Sequence, residues 1–286
     1  MQTPVLILGS DERSAALFRL LERQNRPVLR VSSPTDCAET CRAVRESETI
    51  VLPIPATKDG SLLDGEAKTP WKEIFPLFDS TQTVWGGAFT SEQNAFFKER
   101  AVPCFDFLQN ETFALYNAAL TAQGALRLLL EHTRGYLPEQ RILITGYGRV
   151  GKALSRVLRA LGCDCFIAAR SALQRQEAVL AGCKALSPDD LSRVAFLFDI
   201  ICNTVPARLF SLDTLRVLRP GCLFLELASA PFGADPADCK KAGVTRIAGG
   251  GLPGRFTPDA AAGAMLRCID SEREVIPWID PSSATR

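Results

Sequence analysis

Three glycines in the middle of the chain have the spacing of a phosphate-binding turn. Gly146, Gly148 and Gly151 follow the apolar residues 142–144 and open a segment with helical periodicity. In such a turn the first glycine makes the tight bend, the second lets backbone approach a pyrophosphate, and the third lets the helix pack close to the strand. The N–H groups of the first helical turn then face the phosphates. The pattern predicts a dinucleotide site that includes Arg149 and Val150.

The strand expected next, residues 163–169, ends in residues that favour one dinucleotide over the other. Sites for NAD usually place an Asp or Glu about 20 residues beyond the glycines, where it binds the ribose hydroxyls. This chain has Ala169 there, followed by Arg170 and Ser171. A guanidinium and a hydroxyl can hold a 2′-phosphate through charge-assisted hydrogen bonds. We therefore predict NADP(H) rather than NAD(H); the alternative is that Arg170 is a solvated residue after a strand.

The composition is that of a soluble globular protein. A chain of 286 residues is long enough for two domains, and its 33 Lys and Arg almost balance its 32 Asp and Glu. Nucleic acid and anionic membranes are therefore disfavoured as partners. The N-terminus runs into an apparent strand without a signal segment, and no apolar run approaches the roughly 20 residues that span a bilayer. We expect a cytoplasmic protein.

Cysteine and histidine usage predicts neither a metal site nor a catalytic base. The ten cysteines are scattered through predicted strands and helices, and with one histidine no zinc pattern emerges. We interpret most cysteines, Cys202 included, as reduced and buried small hydrophobes. His132 falls at the far end of a predicted helix, so we assign it a capping or surface role rather than that of a general base.

Alternating strands and helices predict an α/β protein of two doubly wound parallel-sheet domains. The first, residues 1–115, lacks the glycine fingerprint, so we expect it to bind substrate. Its predicted strands lie at 4–8, 28–31, 49–54, 83–85 and 102–105. A helical stretch at 110–131 has an apolar face and forms most of a linking segment at 116–138.

The second domain, residues 139–262, is predicted to be a Rossmann NAD(P)-binding domain, with residues 263–286 returning to the first. Ligands of open α/β sheets collect outside the carboxyl ends of the strands, so we expect a cleft between the domains. Loops after the strands complete the predicted cofactor site. Its residues are Gly146, Gly148, Arg149, Val150, Gly151, Arg170, Ser171, Asn203, Thr204, Val205, Pro206, Ala228 and Leu252.

Eight segments, in this order and spacing, resemble the family of dipicolinate synthase A subunits across essentially the whole chain. Generic Rossmann proteins share only the glycine turn and the NTVP-like loop, so the combination is specific. The segments are GSDER at 9–13, LPIPAT at 52–57 with Gly60, YNAALTAQG at 116–124, GYGRVG at 146–151, AARS at 168–171, NTVP at 203–206, ELAS at 226–229 and GLPG at 251–254. Three positions depart from the family pattern: Gln123 for Glu, Glu226 for Asp, and Phe232 for the first of two glycines.

The resemblance implies an NADP-dependent dehydrogenase of a branch of the lysine pathway. Such an enzyme oxidises a dihydrodipicolinate or hydroxy-tetrahydrodipicolinate intermediate to dipicolinate, pyridine-2,6-dicarboxylate, in the mother cell of sporulating bacteria. The flavoprotein-like B subunit of dipicolinate synthase is the implied partner, and a homo-oligomer is left open. Because Gln123 removes a charge, we assign no acid–base role at that position.

The implied substrate carries two carboxylates and delivers a hydride to the nicotinamide while a ring proton leaves. Aromatisation is strongly downhill, so positioning matters more than a powerful base. The candidate ligands are Arg13, Thr57 and Lys58 in the first domain, Asn117 and Thr121 on one face of the linking helix, and Ser229 and Arg255 in the second domain.

Each of these candidates has a structural alternative. Arg13 could form a surface ion pair with Asp11, and Thr57 could only end a strand. Asn117 and Thr121 could hydrogen-bond helix backbone, and Arg255 could anchor its own loop.

Two other functions stay open. One is another two-domain NAD(P)-dependent dehydrogenase acting on a 2-hydroxy acid, an amino acid or a folate. A 2-hydroxy-acid enzyme normally has a catalytic histidine late in the chain, and none follows His132, which disfavours it. The other is a non-catalytic NADP-sensing subunit, which turnover measurements would distinguish.

Overall fold

A computed structural model describes residues 3–32, 37–57, 61–62 and 69–273. The chain divides into two compact units. The first comprises the residues up to Tyr116 together with those from Thr257 onward, and the second is Asn117–Phe256. The chain thus enters the second unit within the predicted linking segment, and it leaves that unit before residue 263.

The first unit is built on a five-stranded parallel sheet in the order β2-β1-β3-β6-β7. Its strands are β1 (Val5–Leu8), β2 (Val28–Val31), β3 (Thr49–Val51), β6 (Thr83–Gly86) and β7 (Cys104–Asp106), with a separate hairpin of β4 (Ser61–Leu62) and β5 (Thr69–Pro70). Its first helices are α1 (Glu12–Arg23), α2 (Cys37–Arg45), α3 (Trp71–Ile74) and α4 (Ser91–Glu99).

The order of this sheet reverses between β1 and β3, which makes their carboxyl ends a topological switch point. β1 is buried along its whole length, as expected for a central parallel strand with helices on both faces. α1 begins directly after it. The Asp11 side chain accepts a hydrogen bond from the Ser14 N–H at 2.7 Å and so caps this helix.

The long helix α5 (Glu111–His132) contributes to the cores of both units. Phe113, near its start, packs in a core cluster of the first unit. Ala122, Ala125 and Leu129 pack in the core of the second unit, against the apolar strands of that sheet. The predicted helix at 110–131 is therefore observed within one residue at each end.

The second unit carries a six-stranded parallel sheet in the order β10-β9-β8-β11-β12-β13. Numbered within the unit this is 3-2-1-4-5-6, the Rossmann order. The strands are β8 (Arg141–Thr145), β9 (Asp164–Ala168), β10 (Lys184–Leu186), β11 (Ile200–Asn203), β12 (Leu223–Glu226) and β13 (Thr245–Ala248). The helices are α6 (Arg149–Ala160), α7 (Ala172–Leu180), α8 (Leu191–Val194), α9 (Leu212–Arg216), α10 (Pro236–Ala242) and α11 (Leu252–Phe256). The two doubly wound parallel sheets predicted from the sequence are confirmed.

The last helix, α12 (Pro258–Arg273), belongs to the first unit. Its Met265 and Ile269 share a core cluster with Leu17 and Leu21 of α1. Arg26, just after α1, donates two hydrogen bonds to Asp270 of α12, at 2.8 and 3.0 Å. Apolar burial and one well-formed ion pair thus fix α12 on this unit.

The buried cysteines of the second unit are core residues. Cys163, Cys165, Cys183, Cys202, Cys222 and Cys239 are buried and unbridged. Burial raises the pKa of the Cys165 and Cys222 thiols to about 12, so neither is an activated nucleophile. Among the helices in the described part of the chain, none is long and apolar enough to span a membrane.

Candidate functional site

The glycine turn joins β8 to α6 at the switch point of the second sheet. Gly146 has a φ of +90°, and a Cβ there would lie 2.5 Å from the Thr204 hydroxyl oxygen. A Cβ on Gly151 would be in hard contact with the carbonyl oxygen of Gly146. Only glycine fits either position, because the turn is pressed between the β11 loop and its own helix.

Gly148 has the opposite surroundings. A Cβ there would have no atom within 4 Å, and the residue is exposed. It is the N-cap of α6 and offers no side chain to the first-turn N–H groups, which have no partner within a helix. Arg149 and Val150 are in that first turn. The open side of the turn therefore fits a pyrophosphate, which these N–H groups and the helix dipole would hold.

The end of β9 places Arg170 and Ser171 at the solvent edge. Ala169 is buried in the core of this unit, so a carboxylate at position 169 would be buried rather than directed at a ribose. Arg170, the next residue along the chain, is exposed. Ser171 caps α7, and Arg175 donates to the carbonyl oxygens of Ala169 and Arg170 at 2.7 Å each.

The loop after β11 lies beside the glycine turn. The Thr204 N–H and hydroxyl both donate to the Thr145 carbonyl oxygen, at 3.0 and 2.7 Å. Val205 is half-buried and Pro206 is exposed, so this loop has backbone and apolar surface that a ligand could contact. The structure thus brings the predicted NTVP loop and the glycines together at the carboxyl ends of β8 and β11.

Two predicted cofactor residues do not present their side chains to a ligand. Asn203 is 0 % exposed, and its amide is engaged by Thr145, Val205 and Glu226. Leu252 is likewise buried, and it packs against α5. A Cβ added to Gly124 of that helix would lie 2.8 Å from the Leu252 Cβ. Both side chains are enclosed by protein, so a cofactor could contact these residues through backbone atoms only, and their place in the cofactor site stays a prediction.

Sequence reasoning gave no role to Glu226 and did not select Arg246. Glu226 is 1 % exposed and lies at the end of β12, where Ala228, a predicted cofactor residue, donates its N–H to the carboxylate at 3.3 Å. Arg246 of β13 pairs with the same carboxylate at 3.7 Å. The sequence feature that could have pointed to this pair is that Glu226 and Arg246 are the charged residues of two neighbouring short strands, β12 and β13.

Arg13 lies at the switch point of the first sheet, in the first turn of α1. It is only 4 % exposed, and its Nε and Nη1 are buried without a hydrogen-bond partner among the described residues. Burial lowers the pKa of Arg13, and the charge of Asp11 partly offsets this. A buried guanidinium with unmet donors is costly unless an anion binds it. The surface ion pair is therefore not the arrangement observed.

Thr57 lies in the loop after β3 and contacts α4. Its hydroxyl oxygen accepts a hydrogen bond from the Gln93 amide at 3.0 Å, and Gln93 in turn forms a capping box with Thr90 at the start of α4. The Thr57 hydroxyl is thus held in place while its own proton stays available to an acceptor. Lys58 and Gly60 lie outside the described residues.

The two candidate ligands on α5, Asn117 and Thr121, differ in their hydrogen bonding. The Thr121 hydroxyl donates to the Asn117 carbonyl oxygen at 2.8 Å, which is the backbone bond that the structural alternative proposed. The Asn117 Oδ1 is buried without a hydrogen-bond partner in the described part of the chain. His132 is exposed at the last position of this helix.

Ser229 and Arg255 are both exposed in the second unit. Ser229 lies in the loop after β12, where its carbonyl oxygen accepts from the Phe232 N–H at 3.1 Å. The Arg255 Nη1 donates to the Ala248 carbonyl oxygen at 3.4 Å, and the guanidinium lies over the Phe256 ring at 5.0 Å. Arg255 thus anchors its own loop, as its structural alternative proposed.

Comparisons with known proteins cover both units. The chain is 24 % identical over 281 residues to the A subunit of dipicolinate synthase from Bacillus subtilis (strain 168), in an alignment that covers 93 % of this chain and 94 % of that protein. The crystal structure of the dipicolinate synthase A subunit from Bacillus halodurans superposes with a TM-score of 0.80 at 21 % identity, covering 94 % and 97 % of the two chains.

A putative NAD-binding D-isomer specific 2-hydroxyacid dehydrogenase from Polaromonas has the same fold. Its TM-score is 0.58 at 14 % identity, over 95 % of this chain and 97 % of that one. No model of a protein family matches the chain. The structural likeness shows the fold, and the sequence similarity to the Bacillus subtilis protein extends over nearly the same length. The resemblance to the A subunit of dipicolinate synthase that the eight segments indicate is therefore confirmed over almost the whole length of this chain.

Proposed function

We propose that this chain is an oxidoreductase subunit that forms dipicolinate from a dihydrodipicolinate or hydroxy-tetrahydrodipicolinate intermediate with NADP. The observation that carries the proposal is similarity to the A subunit of dipicolinate synthase across 93 % of the chain, in a protein with an intact dinucleotide turn. The fold alone is shared with a 2-hydroxyacid dehydrogenase and does not select a substrate. The same similarity supports a role in sporulation, a cytoplasmic location in the mother cell, and the B subunit of dipicolinate synthase as partner.

The second unit would hold the dinucleotide. The first turn of α6 would bind the pyrophosphate across Gly148, and Arg170 and Ser171 would bind the 2′-phosphate of the adenosine half. Backbone of Val205, Pro206 and Ala228 would line the nicotinamide half. When bound, NADP supplies the hydride acceptor of the oxidation.

The first unit would bind the substrate, whose two carboxylates need matching donors. Arg13 supports this assignment, since a carboxylate would satisfy its Nε and Nη1, which are buried without a partner among the described residues. Thr57, in the loop after β3 of the same unit, offers a hydroxyl proton. These residues bind and orient a dianion, and the oxidation needs no strong base because the product is aromatic.

The direct test combines the protein with a B-type partner of dipicolinate synthase, NADP⁺ and freshly generated hydroxy-tetrahydrodipicolinate. We expect NADPH and dipicolinate to form in equal amounts. Formation of neither product would refute the proposed reaction. NADP binding without hydride transfer, with or without the partner, would favour a sensing role, and turnover of a 2-hydroxy acid would favour the other dehydrogenase class.

Coenzyme preference should depend on Arg170. Arg170→Asp removes the charge-assisted bonds to the 2′-phosphate and adds repulsion, so we expect the Kd of NADPH to rise about 100-fold, a loss of about 3 kcal/mol. Binding of NADH should be unchanged or tighter, because an Asp there accepts from ribose hydroxyls. Fluorescence titration with both coenzymes measures the ratio.

The matched control is Arg156→Asp, which makes the same charge change at an exposed position of α6. It should leave the NADPH to NADH ratio at the wild-type value. If Arg170→Asp and Arg156→Asp change the ratio equally, the effect is one of net charge, and the NADP assignment fails.

A further inference from the structure

Glu226 is a buried carboxylate with four donor partners in the described part of the chain. Its Oε1 accepts from the Asn203 Nδ2 at 2.5 Å and from the Ala228 N–H at 3.3 Å. Its Oε2 accepts from the Gly233 N–H at 3.0 Å and lies 3.7 Å from the Arg246 Nη2. Both carboxylate oxygens therefore act as acceptors for these donors.

Through these contacts Glu226 connects two loops that follow neighbouring strands. Asn203 links Glu226 to the loop after β11. Its amide donates to the Val205 carbonyl oxygen at 2.9 Å and accepts from the Val205 N–H at 3.2 Å. Ala228 and Gly233 lie at either end of the loop after β12. The two loops therefore share one buried acceptor.

The loop after β12 is shaped around this network. A Cβ on Gly233 would lie 2.5 Å from the Asn203 Cγ, so the loop backbone passes directly over the amide. Phe232 has a φ of +61°, a conformation that costs a bulky residue energy, and the Arg246 guanidinium lies 4.8 Å from its ring centroid. Arg246 and Glu226 together hold this conformation in place.

The network lies on one side of the glycine turn. In a sheet of this order the pyrophosphate sits after β8, and the two nucleotide halves extend in opposite directions across the strands. Arg170 and Ser171 follow β9 on one side, whereas Asn203, Glu226 and Arg246 belong to β11, β12 and β13 on the other. The adenosine half therefore falls on the β9 side and the nicotinamide half on the Glu226 side.

We propose that Glu226 is a positioning residue that fixes the loops for the nicotinamide half of the coenzyme and has no part in binding the adenosine half. This inference rests on the proposed function, since it assumes that a nicotinamide dinucleotide binds at the second unit. Glu226 acts through Val205, Ala228 and Gly233 and touches no reacting atom.

Glu226→Gln is a sharp test because an amide cannot replace the carboxylate here. Whichever way the amide is turned, its NH₂ group meets a donor and leaves either the Ala228 or the Gly233 N–H without an acceptor. Both N–H groups belong to the same loop. We expect the Kd of NADPH to rise about tenfold or more, as for a lost buried bond to a charged acceptor, while the Kd of 2′,5′-ADP stays within about twofold.

Two controls separate positioning from general destabilisation. Asp199→Asn alters a carboxylate in the same unit that bonds the Arg141 N–H at 2.9 Å and pairs with Arg219. It should lower the melting temperature and leave both affinities unchanged. Arg246→Met is a second variant of the same network, for use if Glu226→Gln fails to fold: it removes the cationic partner and keeps the bonds from Asn203, Ala228 and Gly233, and it should weaken NADPH and not 2′,5′-ADP.

Calorimetric titration of the full chain with NADPH and 2′,5′-ADP decides between the outcomes. Selective weakening of NADPH supports the inference. Equal weakening of both ligands, or no weakening of either, overturns it while leaving the proposed function intact. A wild-type protein that binds neither ligand refutes the proposed function, and the inference with it.

Discussion

Replacing Gly151 with alanine should destabilise the second unit and weaken dinucleotide binding, whereas Gly148→Ala should weaken binding at least about tenfold with a smaller change in stability. A Cβ at 151 meets the carbonyl oxygen of Gly146, a backbone atom that moves only if the turn moves. We expect a loss of about 1–3 kcal/mol in the free energy of unfolding, the usual range for overpacking. A Cβ at 148 meets no protein atom within 4 Å.

Gly148 has φ of −82° and ψ of −163°, which alanine also adopts without strain, so the loss in free energy of unfolding should stay below about 1 kcal/mol, the cost of a poorer helix N-cap. Its methyl group would instead occupy the path of the pyrophosphate, and the Kd of NADPH should rise at least about tenfold. Urea unfolding and fluorescence titration of both variants separate the two effects. A Gly148→Ala protein that binds NADPH like the wild type would show that the phosphates do not pass over this turn.

The parts of this protein that could be predicted are those with local signals. Central strands of a parallel sheet are buried on both faces, so β1 and β8 are visible as apolar runs in the sequence. The glycine turn could be predicted because its three glycines fall within the six residues 146–151. β10 (Lys184–Leu186) could not be predicted as a strand, because it is three residues long, partly exposed, and has no apolar run.

The Glu226 and Arg246 network could not be predicted, because it depends on register. Arg246 pairs with Phe224 across β12 and β13, which puts it two residues from the partner of Glu226 and on the same face. Residues 20 positions apart meet only once the sheet is assembled. The burial of Arg13 is likewise a tertiary property, since its neighbour Asp11 suggested an ordinary surface pair.

Replacing Arg13 with methionine should have opposite effects on stability and on activity. Methionine keeps much of the side-chain length and removes a buried charge whose Nε and Nη1 have no partner among the described residues. The ligand-free protein should therefore gain about 1 kcal/mol in free energy of unfolding. Loss of two charge-assisted bonds to a carboxylate should raise the KM of the substrate about 100-fold.

The matched control is Arg26→Met, since Arg26 is in the same unit and its guanidinium is satisfied by Asp270. That variant should lose up to about 1 kcal/mol of stability and keep the wild-type KM, because this partly exposed pair is structural. Burial lowers the pKa of Arg13, yet a guanidinium remains protonated near neutral pH, so the effect on KM should not change with pH there. An Arg13→Met protein that is less stable and fully active would mean that the buried guanidinium is a structural charge and that the substrate carboxylates bind elsewhere.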